Sequence, residues 1–176
     1  MGRPSLPFTG ATSDGHLVTM REGDVPILTQ LAGWDRFEEV ADALLHPFSL
    51  SVPRDYRRPI RRDMDSIWRT APDRALILSA KPLGLESSGD IAVLDLSHAR
   101  RRLIVEGPGA GDLLSRVMAL DFSEQAFPVG SFAQGSLHHV GVLVDRHAAD
   151  RFDLLVPTTW AKSLIDLMAD HLRRAS

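Results

Sequence analysis

The order of apolar periods in this 176-residue chain predicts an α+β fold, with helices packed on an antiparallel or mixed sheet. Three observations predict it. One unbroken stretch, Ile91 to Phe122, reads as strand, polar turn, strand, glycine break and helix. Two segments, ILTQLAGWDRFEEVADALLHPF and LIVEGPGAGDLLSRVMALDF, echo each other as strand, glycine break, helix and polar turn. Between these segments lies no linker long enough to suggest independent domains.

Taken in order, residues 1–15 read as a flexible tail, with no apolar run of the kind a secretory signal needs. Residues 16–176 read as one domain, built of two similar halves, 16–80 and 91–176. Leu17 to Arg21 and Ile27 to Leu31 are two short strands around the turn Glu22-Gly23-Asp24. Asp35 offers an N-cap with Glu38 as its capping-box partner. Phe37, Val40, Ala41, Leu44 and Leu45 then make an amphipathic stripe, which His46-Pro47 ends. Ser49 to Asp65 is irregular. Ile67 to Arg69 and Ala75 to Ala80 pair around Pro72-Asp73, and Lys81 to Asp90 is a loop by composition.

In the stretch from Ile91, the apolar runs are Ile91 to Leu96 and Leu103 to Val105, separated by Ser97-His98-Ala99. After Gly107-Pro108-Gly109, Leu113, Leu114, Val117 and Met118 share a helix face. Phe132 to Val144 holds a strand with Val140, Val142 and Val144 on one face, Ala148-Ala149-Asp150 is a hairpin turn and Phe152 to Val156 the return strand. Thr158 or Thr159 caps the last helix. Trp160, Leu164, Leu167, Met168, His171 and Leu172 form its buried stripe, and Arg173 and Arg174 suit its C-terminal dipole.

Composition excludes several classes. With 44% apolar and 24% charged residues the balance is that of an ordinary globular chain, and no apolar run approaches the ~20 residues of a membrane helix. A net charge of −3 does not favour nucleic acid. The absence of cysteine removes disulfides, thiolate catalysis and Cys-based metal sites, and fits a reducing cytoplasm.

The motifs with chemical appeal each have a plainer reading. GPGAGD (107–112) lacks the third glycine of GxGxxG and the Lys-Ser/Thr of a phosphate loop, so its glycines read as a strand-to-helix turn. His138-His139 falls on the strand read from Phe132. There the two side chains would point to opposite faces and could not share a metal, so no metal site is assigned. Asp95, Ser97 and His98 suggest a nucleophile and base, yet no oxyanion hole accompanies them, and no catalytic residue is assigned. Arg54, Arg57, Arg58, Arg61 and Arg62, with Tyr56 among them, are the strongest charge feature. Asp55, Asp63 and Asp65 dilute them as a nucleic-acid surface; the plain reading is a solvated loop, and the functional one is a segment that docks on acidic residues of a partner.

Asp95-Leu96-Ser97-His98, then Val105, Gly107, Ala110, Leu113 and Leu114, resemble the pattern of the aminomethyltransferase and folate-binding superfamily. TAPDRALIL (70–78), FPVGSFAQGSL (127–137) and FDLLVPTTWAKSLIDLM (152–168) extend the resemblance over residues 70–176 in the right order. Within the superfamily, the chain resembles the gamma-subunit family of heterotetrameric sarcosine oxidase and its relative in N-methylglutamate dehydrogenase. Ala71 and Arg74-Ala75 depart from the Gly-Pro-Asp-Glu-Trp expected near Pro72-Asp73.

The resemblance implies ferredoxin-like βαβ units and a non-catalytic, cytoplasmic subunit of a flavin-dependent complex that demethylates an N-methyl amino acid and passes the one-carbon unit to tetrahydrofolate. It implies alpha, beta and delta-type partner subunits. FAD, FMN, NAD, tetrahydrofolate and zinc would be held on those subunits, with no cofactor on this chain and neither nucleic acid nor membrane as partner. The alternative is a stand-alone folate- or amino-acid-binding regulatory protein. The iron–sulfur-assisting folate binders carry a Lys-Gly-Cys-Tyr-x-Gly-Gln-Glu motif that a chain without cysteine cannot match.

Overall fold

The computed structural model describes residues 5–174, with the backbone alone for 173 and 174. The tail expected at residues 1–4 and the dipole role of the Arg173 and Arg174 side chains lie outside the described residues. The chain folds as two compact units. One is Val25–His98, and the other is formed by the flanking segments, up to Asp24 and from Ala99 onward.

The flanking segments build a six-stranded sheet in the order β1-β2-β8-β11-β10-β9. Its strands are β1 (Phe8–Ala11), β2 (Leu17–Gly23), β8 (Arg100–Glu106), β9 (Phe132–Leu137), β10 (Val140–Ala148) and β11 (Arg151–Pro157). Two helices belong to this unit, α2 (Ala110–Val117) and α3 (Ala161–Arg174). Alternate strand residues Leu103, Val105, Val144, Phe152 and Leu154 form one core with Leu113 and Leu114 of α2 and Leu164, Met168 and Leu172 of α3. This is what period-2 strands meeting period-3.6 helices produce. Phe122 meets Phe127 and Phe152 edge-on, each at 5.5 Å between ring centres.

The unit Val25–His98 builds a five-stranded sheet, β4-β5-β6-β3-β7. Its strands are β3 (Ile27–Gly33), β4 (Ile60–Arg62), β5 (Asp65–Ala71), β6 (Arg74–Ser79) and β7 (Ile91–Asp95), and its helix is α1 (Phe37–Leu45). Phe37, Ala41 and Leu45 of α1 pack with Leu31, Ile67, Ala75, Ile77 and Ile91. Every strand pair in both sheets is antiparallel. An α+β fold of antiparallel sheets and packed helices is therefore what the chain forms.

The two units repeat one plan. In β3-α1-β4-β5-β6 and in β8-α2-β9-β10-β11, a strand and helix are followed by three strands, the last returning beside the first. The Gly33 N–H donates to Asp73 O at 2.9 Å, and the Gly107 N–H donates to Asp150 O at 2.9 Å. Both β5–β6 and β10–β11 carry a bulge, after Arg69 and after Arg146.

Several expectations are corrected. Phe8–Ala11, expected within a tail, is a strand paired on β2. Residues Glu22-Gly23-Asp24 do not close a hairpin, because β2 pairs with β1 and β8 while β3 pairs with β6 and β7. Ile91–Asp95 and Leu103–Val105, read as successive strands around a polar turn, lie in different sheets. Ile91–Asp95 is an edge strand, half exposed toward its end. The chain leaves and re-enters the flanking unit at these two turns, so short-range turn chemistry gives no sign of the long-range partner.

Arg36, not Asp35, precedes α1, without a side-chain cap. Glu38 pairs with Arg54 and Arg69 instead of capping. The irregular segment 49–65 contains β4, paired on β5. Trp160, expected in the buried stripe, is 52% exposed. It stands at the cap position of α3, where its carbonyl accepts from Leu164 N–H at 3.0 Å. The stretch 132–144, read as holding one strand, carries parts of two, Phe132–Leu137 and Val140–Ala148.

Candidate functional site

His138 and His139 are the two loop residues of the β9–β10 hairpin, between the paired Leu137 and Val140. Their φ values are 46° and 69°, the left-handed pair that a type I′ turn requires. Both are exposed, and their ring centres lie 5.5 Å apart. The strand assignment that sent them to opposite faces is thus overturned. The apolar run through Phe132 and Val144 hid a turn that lacks the usual Asn-Gly.

In the unit Val25–His98, a groove of about 510 Å³ runs beside the β3–β7 edge. Its apolar wall includes Pro26, Ile27, Leu83, Leu85 and Val93, and Asp95, Ser97 and His98 stand at its polar end. The segment 81–90 forms part of this wall because it is tied down. The Ser88 N–H donates to Ile91 O at 2.8 Å, and the Val93 N–H donates to Ser87 Oγ at 2.9 Å. Leu83 and Leu85 pack on the unit's core. Composition marked this segment as a loop; its two leucines were the available sign of packing.

The Ser97 hydroxyl donates to Asp95 Oδ1 at 2.5 Å and accepts from the Leu28 N–H at 3.0 Å. The Ser97 N–H also donates to Asp95 Oδ1, at 2.9 Å. The hydroxyl thus ties the end of β7 to β3, an arrangement that fixes a strand end. Asp95 is held below the usual carboxylate range, chiefly by the Ser97 hydroxyl, then by the Ser97 N–H, with a smaller contribution from His98. An apolar wall with an ionised carboxylate and an imidazole at one end suits a small ligand with an apolar body and a cationic or hydrogen-bond-donating end. The volume falls in the ~300–1,000 Å³ range of small-molecule sites.

GPGAGD does not form an anion cradle. The N–H groups of Gly107, Gly109 and Ala110 donate to the carbonyls of Asp150, Leu17 and Gly107. The strand-to-helix turn reading is the one the geometry supports. Among the described residues, no group of three or more His, Asp or Glu is placed to hold a metal.

The five arginines of the proposed docking segment are all exposed. Arg54 pairs with Glu38 and, at 2.8 Å, with Asp42, and Arg62 donates to Ser49 O at 2.8 Å. Arg54 and Arg62 thereby brace their own unit. Arg57, Arg58 and Arg61 continue the run, alongside exposed Tyr56 and Met64.

Two buried arginines escaped the sequence reading. Arg146 donates to the carbonyls of Phe122, Phe127, Ala148 and Ala149. Arg69 donates to Pro53 O and Pro72 O and pairs with Glu38. A signal existed: both open the pattern Arg-x-Ala-x-Asp-Arg, in RTAPDR (69–74) and RHAADR (146–151).

Comparison with known proteins adds the fold's relatives. A chain of heterotetrameric sarcosine oxidase from Corynebacterium sp. U-96, solved in complex with pyrrole 2-carboxylate, superposes with a TM-score of 0.75 at 24% identity, covering 88% of this chain and 85% of that one. Glycine cleavage system aminomethyltransferase T from Bartonella henselae superposes with a TM-score of 0.55 at 18% identity, covering 85% of this chain and 45% of that one. The fold is of the aminomethyltransferase type. This chain spans about half the length of the aminomethyltransferase but most of the sarcosine oxidase chain. No family model and no curated protein sequence matches. At these identities the likeness establishes the fold; function is a separate argument.

Proposed function

We propose that this chain is the gamma-type subunit of a heterotetrameric, flavin-dependent oxidase or dehydrogenase of an N-methyl amino acid such as sarcosine. One observation carries the reading. The match to a sarcosine oxidase chain runs nearly end to end on both sides, whereas the match to an aminomethyltransferase covers less than half of that chain. A two-unit protein of this length reads as a reduced aminomethyltransferase module used for assembly.

In this reading the chain contributes no catalytic residue. The partners are alpha, beta and delta-type subunits in the cytoplasm. They hold FAD, FMN, NAD and zinc, and the one-carbon unit leaves on tetrahydrofolate. No helix among the described residues is long and apolar enough to cross a membrane. The docking segment is 54–62, with Arg54, Arg57, Arg58, Arg61 and Arg62 facing acidic side chains of a larger subunit.

The test is a tagged pull-down from the native host, with mass spectrometry of the partners and a visible spectrum. Three co-purifying chains with flavin absorption support the reading, whereas a colourless lone protein sinks it. The groove beside Asp95 favours a second reading, a stand-alone folate- or amino-acid-binding protein. Calorimetric titration with tetrahydrofolate and with amino acids distinguishes the two.

A further inference from the structure

The turn His138-His139 is costly for the residues that occupy it. A two-residue type I′ hairpin favours Asn-Gly, since both central residues need positive φ. Here φ is 46° and 69° at two non-glycine residues with an ordinary Cβ. Such conformations are disfavoured for L-residues, and persistent ones concentrate at functional positions. The same backbone brings both imidazoles to one exposed tip, with ring centres 5.5 Å apart. Two imidazoles on one tetrahedral zinc, with Zn–N of about 2.0–2.1 Å, have ring centres roughly 5 Å apart. The ring-centre spacing of the pair is therefore close to that of shared coordination.

We propose that His138 and His139 together bind one zinc-class transition-metal ion, as two adjacent ligands from a single turn. Imidazole suits zinc, copper and nickel. No third His, Asp or Glu completes the set among the described residues. The remaining positions take water or donors of another chain, which makes this an open, surface-accessible site. The site does not depend on the subunit reading above.

The test uses the full chain with any affinity tag removed, titrated with zinc chloride against a chromophoric zinc indicator. Imidazole resonances are followed by NMR in parallel. One equivalent of zinc should shift both imidazoles together. His138→Gln and His139→Gln should each weaken binding at least tenfold. The double variant His138→Asn/His139→Gly should abolish this site and raise Tm by a few degrees, because Asn-Gly fits the turn. That variant also guards against loss of binding through misfolding. Unchanged affinity in either single variant, a shift of only one imidazole, or zinc retained by the double variant would overturn the proposal.

Discussion

Replacing Arg146 by methionine should cost about 3–5 kcal/mol of stability, although the residue lies in no binding groove described here. Its side chain is 7% exposed. It donates to Phe127 O and Ala149 O at 2.6 Å each, and to Phe122 O and Ala148 O at 3.2 and 3.3 Å. The guanidinium also lies 5.2 Å from the Phe152 ring centre. Methionine keeps much of the apolar stem and loses every donor. Hydrogen bonds from a charged donor contribute about 1.5–3 kcal/mol each, so the two short ones alone approach the stated loss. Relief from burying a charge offsets part of what the longer bonds add.

The ion pair with Glu124, at 3.1 Å, is a minor contributor because the Glu124 side chain is 62% exposed. Glu124→Gln should cost less than about 1 kcal/mol. Urea and thermal unfolding followed by circular dichroism measure both variants. For a chain of this size the arginine loss corresponds to roughly 6–20 °C in Tm. An Arg146→Met variant within about 1 kcal/mol of the wild type, or one no worse than Glu124→Gln, would refute the argument that this arginine ties three backbone segments together.

Three further outcomes are expected. Asp42→Ala removes acceptors for the Val52 N–H at 2.7 Å and for Arg54, and should cost about 1–2 kcal/mol in the same unfolding assays. Glu22 sits below the ordinary glutamate range, chiefly because the Arg101 guanidinium hydrogen-bonds to it. A depressed carboxylate stabilises the fold above its unfolded value of about 4.3, and the contribution is lost as pH falls through the lower folded value. Arg101→Gln should therefore move the Glu22 titration, read by carboxyl NMR shifts, back up toward its ordinary range; an unmoved titration would mean the pair does not form in solution. Arg57→Glu/Arg58→Glu should reduce recovery of co-purifying chains in the pull-down, and undiminished recovery would remove the docking role of this segment.

What the sequence made legible follows the range of the interactions. Elements with strong local period were readable: the stripe Phe37-Ala41-Leu45 and the pair Leu113-Leu114 are buried as expected. Strand partners were not readable, because pairing of β2 with β8 depends on residues about 85 positions apart, such as Met20 and Val105. Asp35-x-x-Glu38 looked like a cap, but Glu38 is drawn to Arg69, 31 residues away. His138-His139 failed for a different reason. Turn chemistry is read from Asn, Gly and Pro, and a strained turn without them leaves no mark. Of the candidate chemistry, Asp95, Ser97 and His98 do meet at one groove, yet the wall they face comes from Pro26 and the 81–90 segment, whose folding back no local pattern announces.

The repeat between the units gives a last expectation that separates shared plan from local circumstance. Gly33 and Gly107 occupy the same strand-to-helix junction, and each donates its N–H to the aspartate carbonyl of the facing hairpin turn. Each is also approached by the backbone entering the fifth strand: Asp90 O before β7, and Leu17 O at the start of β2. The two positions differ in tolerance. A Cβ on Gly107 would lie 2.5 Å from Leu17 O, at φ +119°, so neither backbone can yield. Gly107→Ala should cost about 3 kcal/mol or more. A Cβ on Gly33 would meet the Phe37 ring at 2.8 Å and Asp90 O at 3.1 Å, without a positive φ. The closest atom there belongs to a side chain, not to backbone, so Gly33→Ala should cost about 1–3 kcal/mol. Gly15→Ala, at φ +80° with nothing within 4 Å of the new Cβ, isolates the backbone strain alone at about 1–2 kcal/mol. Urea midpoints in the order Gly107, Gly33, Gly15, from most to least damaged, match collision with backbone as the dominant cost. If Gly107→Ala proved no worse than Gly15→Ala, φ strain alone would account for the glycine, and the close approach of Leu17 would not be what requires it.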